Sequence, residues 1–298
     1  MGTARTDTYT RILWLRYRQM TEPFEFEFFV RGLIAATMVG GLAGMMGVYI
    51  VLRRMSYIGH GLSHAIFGGA VVSFIMSINF YVGASIWGFL SAVLIQWTSR
   101  RRSISSDAAI GIITTASFAL GIALISRTQT FTRSFEAALF GNILGVTGPD
   151  LLAIALVTGA VLIAVIIGYK YLLFATFDTE VAASYGVPVR WVDTAFALVL
   201  AGTVVVSMQV LGVTMIAAAL VVPPIVARQF TGSFTRMMVL SPLIGASAGA
   251  IGIYLSWFID VSSGASVVLV ASGFFLVSIV YASARDRLLA ARGRAGTV

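Results

Sequence analysis

A chain of 298 residues with 58% apolar and only 11% charged residues cannot wet the surface of a soluble domain, which usually carries about 25% charged residues. The net charge of +8 is scattered between apolar runs, which suits loops facing anionic lipid better than a nucleic-acid site. There is no cysteine, so disulfides, thiol chemistry and cysteine-ligated metals are excluded.

In chain order, residues 11–20 alternate basic with apolar and aromatic side chains. They predict an interfacial helix lying on the membrane, rather than the cleavable apolar core of a signal peptide. Nine apolar spans follow, at about 28–52, 56–77, 80–98, 108–126, 150–173, 193–208, 210–229, 236–257 and 264–284. A membrane crossing needs roughly 20 such residues. Glycines inside the spans, among them Gly40, Gly41, Gly44 and Gly47, let helix backbones approach closely. The expectation is an all-α polytopic bundle of about nine transmembrane helices. Its parts are an interfacial segment over 1–27, a transmembrane domain over 28–284 and a basic cytoplasmic tail over 285–298.

Arginine and lysine orient the chain. With the N-terminus outside, Arg53, Arg54, Arg100, Arg101, Arg102, Lys170, Arg190, Arg228, Arg236 and the tail arginines all fall inside. Arg5, Arg11, Arg16, Arg18 and Arg31 fall outside and oppose this assignment. Two connections are longer than the rest. Residues 127–149 are partly amphipathic and external. Residues 174–192 are internal and predict a short helix, which Asp178 or Thr179 caps, Glu180 favours in its first turn and Gly186 and Pro188 end. That helix is either an interfacial connector or a docking element for a cytoplasmic partner.

The chain has two histidines, His60 and His64, four residues apart near the start of the second span. Helical periodicity puts both imidazoles on one face. Two histidines placed at random would fall three or four apart about once in a hundred chains. Imidazole suits zinc, iron and other first-row ions, and two such nitrogens supply half of a tetrahedral site. The alternative is a hydrogen-bonded structural pair, but ionisable groups within a membrane are usually functional. Asn142, Gln209, Ser63, backbone carbonyls or a second copy of the chain are the candidates for further ligands. A zinc protease with His-x-x-x-His spacing needs a glutamate beside the first histidine. Gly61 stands there, so the catalytic base is missing.

With these residues in view, the chain resembles the permeases of ABC transporters for zinc, manganese and iron, over about residues 28–284. The blocks that carry the resemblance are 52–65 (Leu-Arg-Arg-Met-Ser-Tyr-Ile-Gly-His-Gly-Leu-Ser-His-Ala), 107–112 (Asp-Ala-Ala-Ile-Gly-Ile) and 139–145 (Leu-Phe-Gly-Asn-Ile-Leu-Gly). The others are 177–182 (Phe-Asp-Thr-Glu-Val-Ala) with Gly186, and 210–215 (Val-Leu-Gly-Val-Thr-Met) leading to Pro223 and Pro224. The resemblance implies a type II importer-like fold in the plasma membrane of a prokaryote. It implies a homodimer of permease subunits, a cytoplasmic ATP-binding subunit, an extracytoplasmic metal-binding protein that delivers cargo, and no permanently bound cofactor. The family's metal site, usually Asp then His, maps onto His60 and His64. The change at His60 removes a hard oxygen ligand and tilts the expected ion toward zinc or iron. The coupling element that meets the ATPase maps onto Asp178, Glu180, Ala182 and Gly186.

The one lysine, Lys170, is not in a Gly-x-x-x-x-Gly-Lys loop, so this chain has no P-loop with which to hydrolyse ATP. The permease is therefore expected to be non-hydrolytic and to work by alternating access. The competing class is a metal-ion channel or secondary transporter. A proton-coupled mechanism is weakened because Asp and Glu fall only near the ends of the spans. A siderophore or vitamin permease would gain nothing from paired imidazoles.

Overall fold

The computed structural model describes residues 20–101, 103–128, 139–141 and 143–295. The interfacial helix expected over residues 11–20 therefore lies almost wholly outside the described residues, as does much of the 127–149 connection. Among the described residues all regular structure is helical. The helices are α1 (Glu27–Leu52), α2 (Ser56–Ile75), α3 (Phe80–Ser99), α4 (Ser106–Thr128), α5 (Gly148–Phe177), α6 (Thr179–Ser184), α7 (Val189–Leu211), α8 (Ile216–Phe230), α9 (Phe234–Ile259) and α10 (Ser263–Ala295).

Each of the nine expected spans is a helix, and eight are long and apolar enough to cross a membrane. The other, α8, has 15 residues, about 22 Å of rise against a hydrocarbon core of about 30 Å. The expected start near 210 is too early because Gly212, at φ +74°, closes α7 and turns the chain. Pro223 and Pro224 lie within α8 and remove backbone donors there. α10 runs on to Ala295, so most of the basic tail continues a transmembrane helix.

Local signals explain the boundaries. Asn79 caps α3 by accepting from the Tyr81 amide. Thr147 and Asp150 form a reciprocal capping box at α5, with Pro149 in its first turn. Asp178 both ends α5 and caps α6.

α1 is the centre of the bundle and packs most extensively on α9. The two backbones touch. A Cβ on Gly40 would overlap the Gly245 carbonyl, one on Gly245 the Gly40 carbonyl, and one on Gly249 the Ala36 carbonyl. Ser241, fully buried, donates its hydroxyl to the Gly44 carbonyl at 2.6 Å. Backbone contact through small residues is how helices gain packing energy where lipid is as apolar as leucine. α2, α3 and α4 form a second group that packs on itself. α4, α5 and α10 turn most of their surface outward.

The seam gives a stability prediction. Gly40→Leu has no side chain to displace, only backbone, so the cost should reach about 3 kcal/mol or more. Gly273, where a Cβ meets nothing within 4 Å, is the control. Gly273→Ala should be neutral or stabilising by up to about 1 kcal/mol. Thermal unfolding in detergent compares the two, and equal melting temperatures would remove the seam from the account of stability.

Side-chain contacts sort the charges by end. Arg53 bonds Thr176 and Asp193, Arg100 bonds the Arg190 carbonyl and Thr194, and Arg285 bonds the Gln229 carbonyl. The basic connections therefore share one end of the bundle. At the other end Tyr254 donates to the Met20 carbonyl, Tyr81 to Asp150, and Thr214 to the Leu139 carbonyl.

Candidate metal site and coupling segment

α1 ends through a tight reversal at Arg53, Arg54 and Met55. Arg54 sits at φ +57°, and the Met55 amide donates back to the Ile50 carbonyl at 2.9 Å. α2 begins at the next residue, so both histidines stand in its first turns, near the basic end. Their ring centroids are 4.5 Å apart with planes at 73°. His60 is exposed and His64 half-buried. The Phe118 ring of α4 meets His64 edge to face at 4.8 Å, and Tyr57 flanks His60 with centroids 6.3 Å apart. Below them Gly61 lets α2 close on Ile110 and Thr114 of α4. The pair therefore lines an open face rather than a buried hydrogen-bonded cluster.

The other suggested ligands are not brought to this face. Ser63 is fully buried and donates its hydroxyl to the His60 carbonyl at 2.8 Å. Gln209 is at the far end of α7, about 24 Å of helix rise beyond Asp193. Asn142 lies outside the described residues. Among the described residues no group of three or more His, Asp or Glu side chains is placed to hold an ion. One chain thus offers two imidazole nitrogens on an outward face, half of a tetrahedral shell.

The segment expected to couple to an ATPase, residues 177–187, is ordered by its own sequence. Asp178 Oδ1 accepts from the amides of Glu180 at 3.0 Å and Val181 at 2.9 Å. Ser184 donates to the Glu180 carbonyl at 3.0 Å. Gly186, at φ +79°, lets the Val187 amide reach the Ala182 carbonyl at 3.0 Å, the reversal that ends helices at a left-handed glycine. Asp178, Glu180 and Gly186 are exposed, whereas Ala182 is fully buried. Ala182 seats the helix on the bundle. The outward face of this helix belongs to Val181 and its C-cap Tyr185, exposed by 43% and 79%. Their spacing of four residues puts them on one side of the helix, whereas the exposed Phe177 ends α5 before the extended Asp178 and meets the Phe234 ring of α9 edge to face at 5.8 Å. That spacing is present in the sequence, but only the burial of Ala182 shows which side of the helix faces outward.

The chain as a whole is similar to known membrane transport proteins. A family model described as the ABC 3 transport family matches residues 25–282. The manganese transport system membrane protein MntC of Listeria monocytogenes is 34% identical over 258 residues, covering 87% of this chain and 92% of that protein. The chelated iron transport system membrane protein YfeD of Yersinia pestis is 31% identical over 262 residues, covering 88% of each. Among solved structures, PsaBC from Streptococcus pneumoniae in complex with Fab is 35% identical with a TM-score of 0.80, covering 88% of this chain and 95% of that one.

Proposed function

Because the chain belongs to the ABC 3 transport family, we propose that it is the membrane permease of an ATP-driven importer of divalent transition-metal ions. The observation that carries this reading is the His60–His64 pair, two imidazoles 4.5 Å apart on an open helix face. The relatives named for manganese and iron support the class of cargo, and zinc shares the same ligand chemistry.

An ion held by two imidazoles needs more ligands, and His60 points out of its own bundle. A second copy of the chain across a two-fold axis would present the same pair and complete a four-nitrogen shell. Such a shell grips the ion when the two copies approach and weakens when they part. That is what a carrier requires, since cargo must be bound strongly enough to select and weakly enough to release. Energy comes from a separate cytoplasmic ATP-binding subunit docked on the 177–187 segment. An extracytoplasmic metal-binding protein delivers the ion at the opposite end. The complex resides in the plasma membrane of a bacterium.

Uptake into liposomes holding the permease with its ATP-binding subunit tests the reading. Transport should need ATP and the second subunit, and ATP-independent flux through the permease alone would point to a channel. Proton competition gives a second check. Imidazole ligates metal only when neutral, so protonation removes ligands. Uptake should therefore fall as the medium is acidified. Uptake that does not respond to acidification at any pH the complex survives would separate transport from the histidines.

A further inference from the structure

We propose that Arg53 is the positioning residue that ties the coupling segment to the histidine-bearing helix, a role that rests on reading 177–187 as the ATPase-docking element. Arg53 caps α1, and its side chain is only 6% exposed. Nε donates to Thr176 Oγ1 at 3.0 Å and Nη1 to Asp193 Oδ1 at 2.7 Å. The guanidinium carbon lies 4.6 Å from the centroid of the Phe196 ring. Thr176 belongs to the last turn of α5 and Asp193 to the first turns of α7. One side chain therefore grips the chain on both sides of α6.

The other basic residue that reaches this region differs in kind. Arg100 bonds the Arg190 carbonyl and Thr194 in exposed positions, where polar links hold little. The Arg53 contacts are shielded, charge-assisted and anchored at three points, which makes them directional. Thr176 is itself fixed by donating to the Leu172 carbonyl at 2.6 Å. Arg53 Nη2, also buried, has no hydrogen-bond partner among the described residues.

The mechanical consequence follows from the chain path. Arg53 is followed by a reversal of two residues and then by α2, with His60 in its second turn. A displacement of α6 toward or away from the ATPase moves Thr176 and Asp193, and with them the guanidinium and the start of α2. Contacts between α1 and α2 themselves are sparse, and α2 packs chiefly on α3 and α4, so α2 moves with that group and the latch rather than with the α1–α9 seam. Arg53 thus turns motion at the docking surface into a change in the spacing of the histidine pairs.

The test uses the full complex with its ATP-binding subunit in liposomes. Asp193→Asn keeps the shape and removes the charge, and Thr176→Val removes the second acceptor. Each should assemble with the ATPase and hydrolyse ATP, yet move at least tenfold fewer ions per ATP, and Asp193→Glu should restore most of the ratio. An unchanged ratio of ions to ATP in Asp193→Asn overturns the proposal, as does equal loss of assembly, hydrolysis and uptake, which marks a fold or docking defect.

A second measurement leaves the latch intact. The chain has no cysteine, so Ser56→Cys with Ser184→Cys takes two spin labels on an otherwise unaltered protein. Their distance should stay constant between ATP and ADP states while labels on Ser184 and the ATPase report motion. A 56–184 distance that changes with nucleotide shows that α2 does not follow α6. A crosslink from Tyr185→Cys to the ATPase checks the docking reading separately. Its presence alongside a changing 56–184 distance rejects the latch and leaves the docking reading standing.

Discussion

Replacing both His60 and His64 by alanine should abolish metal uptake by the assembled complex while leaving the permease folded. His60 is exposed, so its loss removes little packing. His64 is half-buried and gives up one edge-to-face contact with Phe118, so His64→Ala should cost no more than about 1–1.5 kcal/mol in stability. Transport should respond far more. Losing one of two protein ligands should slow uptake about 100-fold, equal to about 2.7 kcal/mol of transition-state or binding free energy. His60→Asp is the informative conservative change. It exchanges a borderline nitrogen for a hard oxygen, so transport should persist with preference moved from zinc toward manganese. Radiolabelled uptake with each ion, normalised to complex recovered from the membrane, decides it. Normal rates for every metal in the double alanine variant would make the pair structural.

The helices were legible because lipid imposes a simple rule: a crossing segment must be apolar for about 20 residues and satisfy its own backbone. Errors arose where that rule is silent. Val210 and Leu211 are as apolar as the segment after them, so only the left-handed turn at Gly212 separates α7 from α8. α7 starts at Val189, four residues before the expected boundary, because Pro188 is tolerated as its N-cap and the polar Arg190 and Asp193 stand at the basic end. The histidine pair was legible through its spacing alone. Its openness was not, since exposure depends on how α4 packs beside α2.

The contacts between distant residues were out of reach. Arg53 and Asp193 are separated by 140 positions, and in the sequence Arg53 is one more basic residue in an inner loop. Nothing in a single chain says that its guanidinium turns inward. Gly40 and Gly245 are likewise ordinary small residues until α1 and α9 are laid together. The pair Val181 and Tyr185 stands between these cases. Its four-residue period is written in the sequence, but the caps at Asp178 and Gly186 define where the helix runs, and only the buried Ala182 shows which face points away.

That pair supports the second large effect. Two large apolar side chains, Val181 and Tyr185, exposed on one side of a short helix and its C-cap, at the charged end of a membrane protein, fit a contact with another protein. Val181→Asp together with Tyr185→Asp should therefore eliminate ATPase copurification and ATP-driven uptake, since two carboxylates would have to be desolvated in the contact. The fold should survive, because neither side chain is buried. Gly186→Val probes the same element without touching the surface. A Cβ there meets nothing within 4 Å, so the whole cost is backbone strain at φ +79°, about 1–2 kcal/mol. The penalty is relieved by unwinding the α6 terminus, which misplaces Tyr185. Gly186→Val should retain ATPase binding at reduced affinity and lose uptake about tenfold, with hydrolysis no longer stimulated by metal. Gly186→Asn, which tolerates the left-handed region, should recover most of both. If the double aspartate variant still copurifies with the ATPase and transports at the normal rate, the partner docks elsewhere, and the short helix is only a connector between α5 and α7.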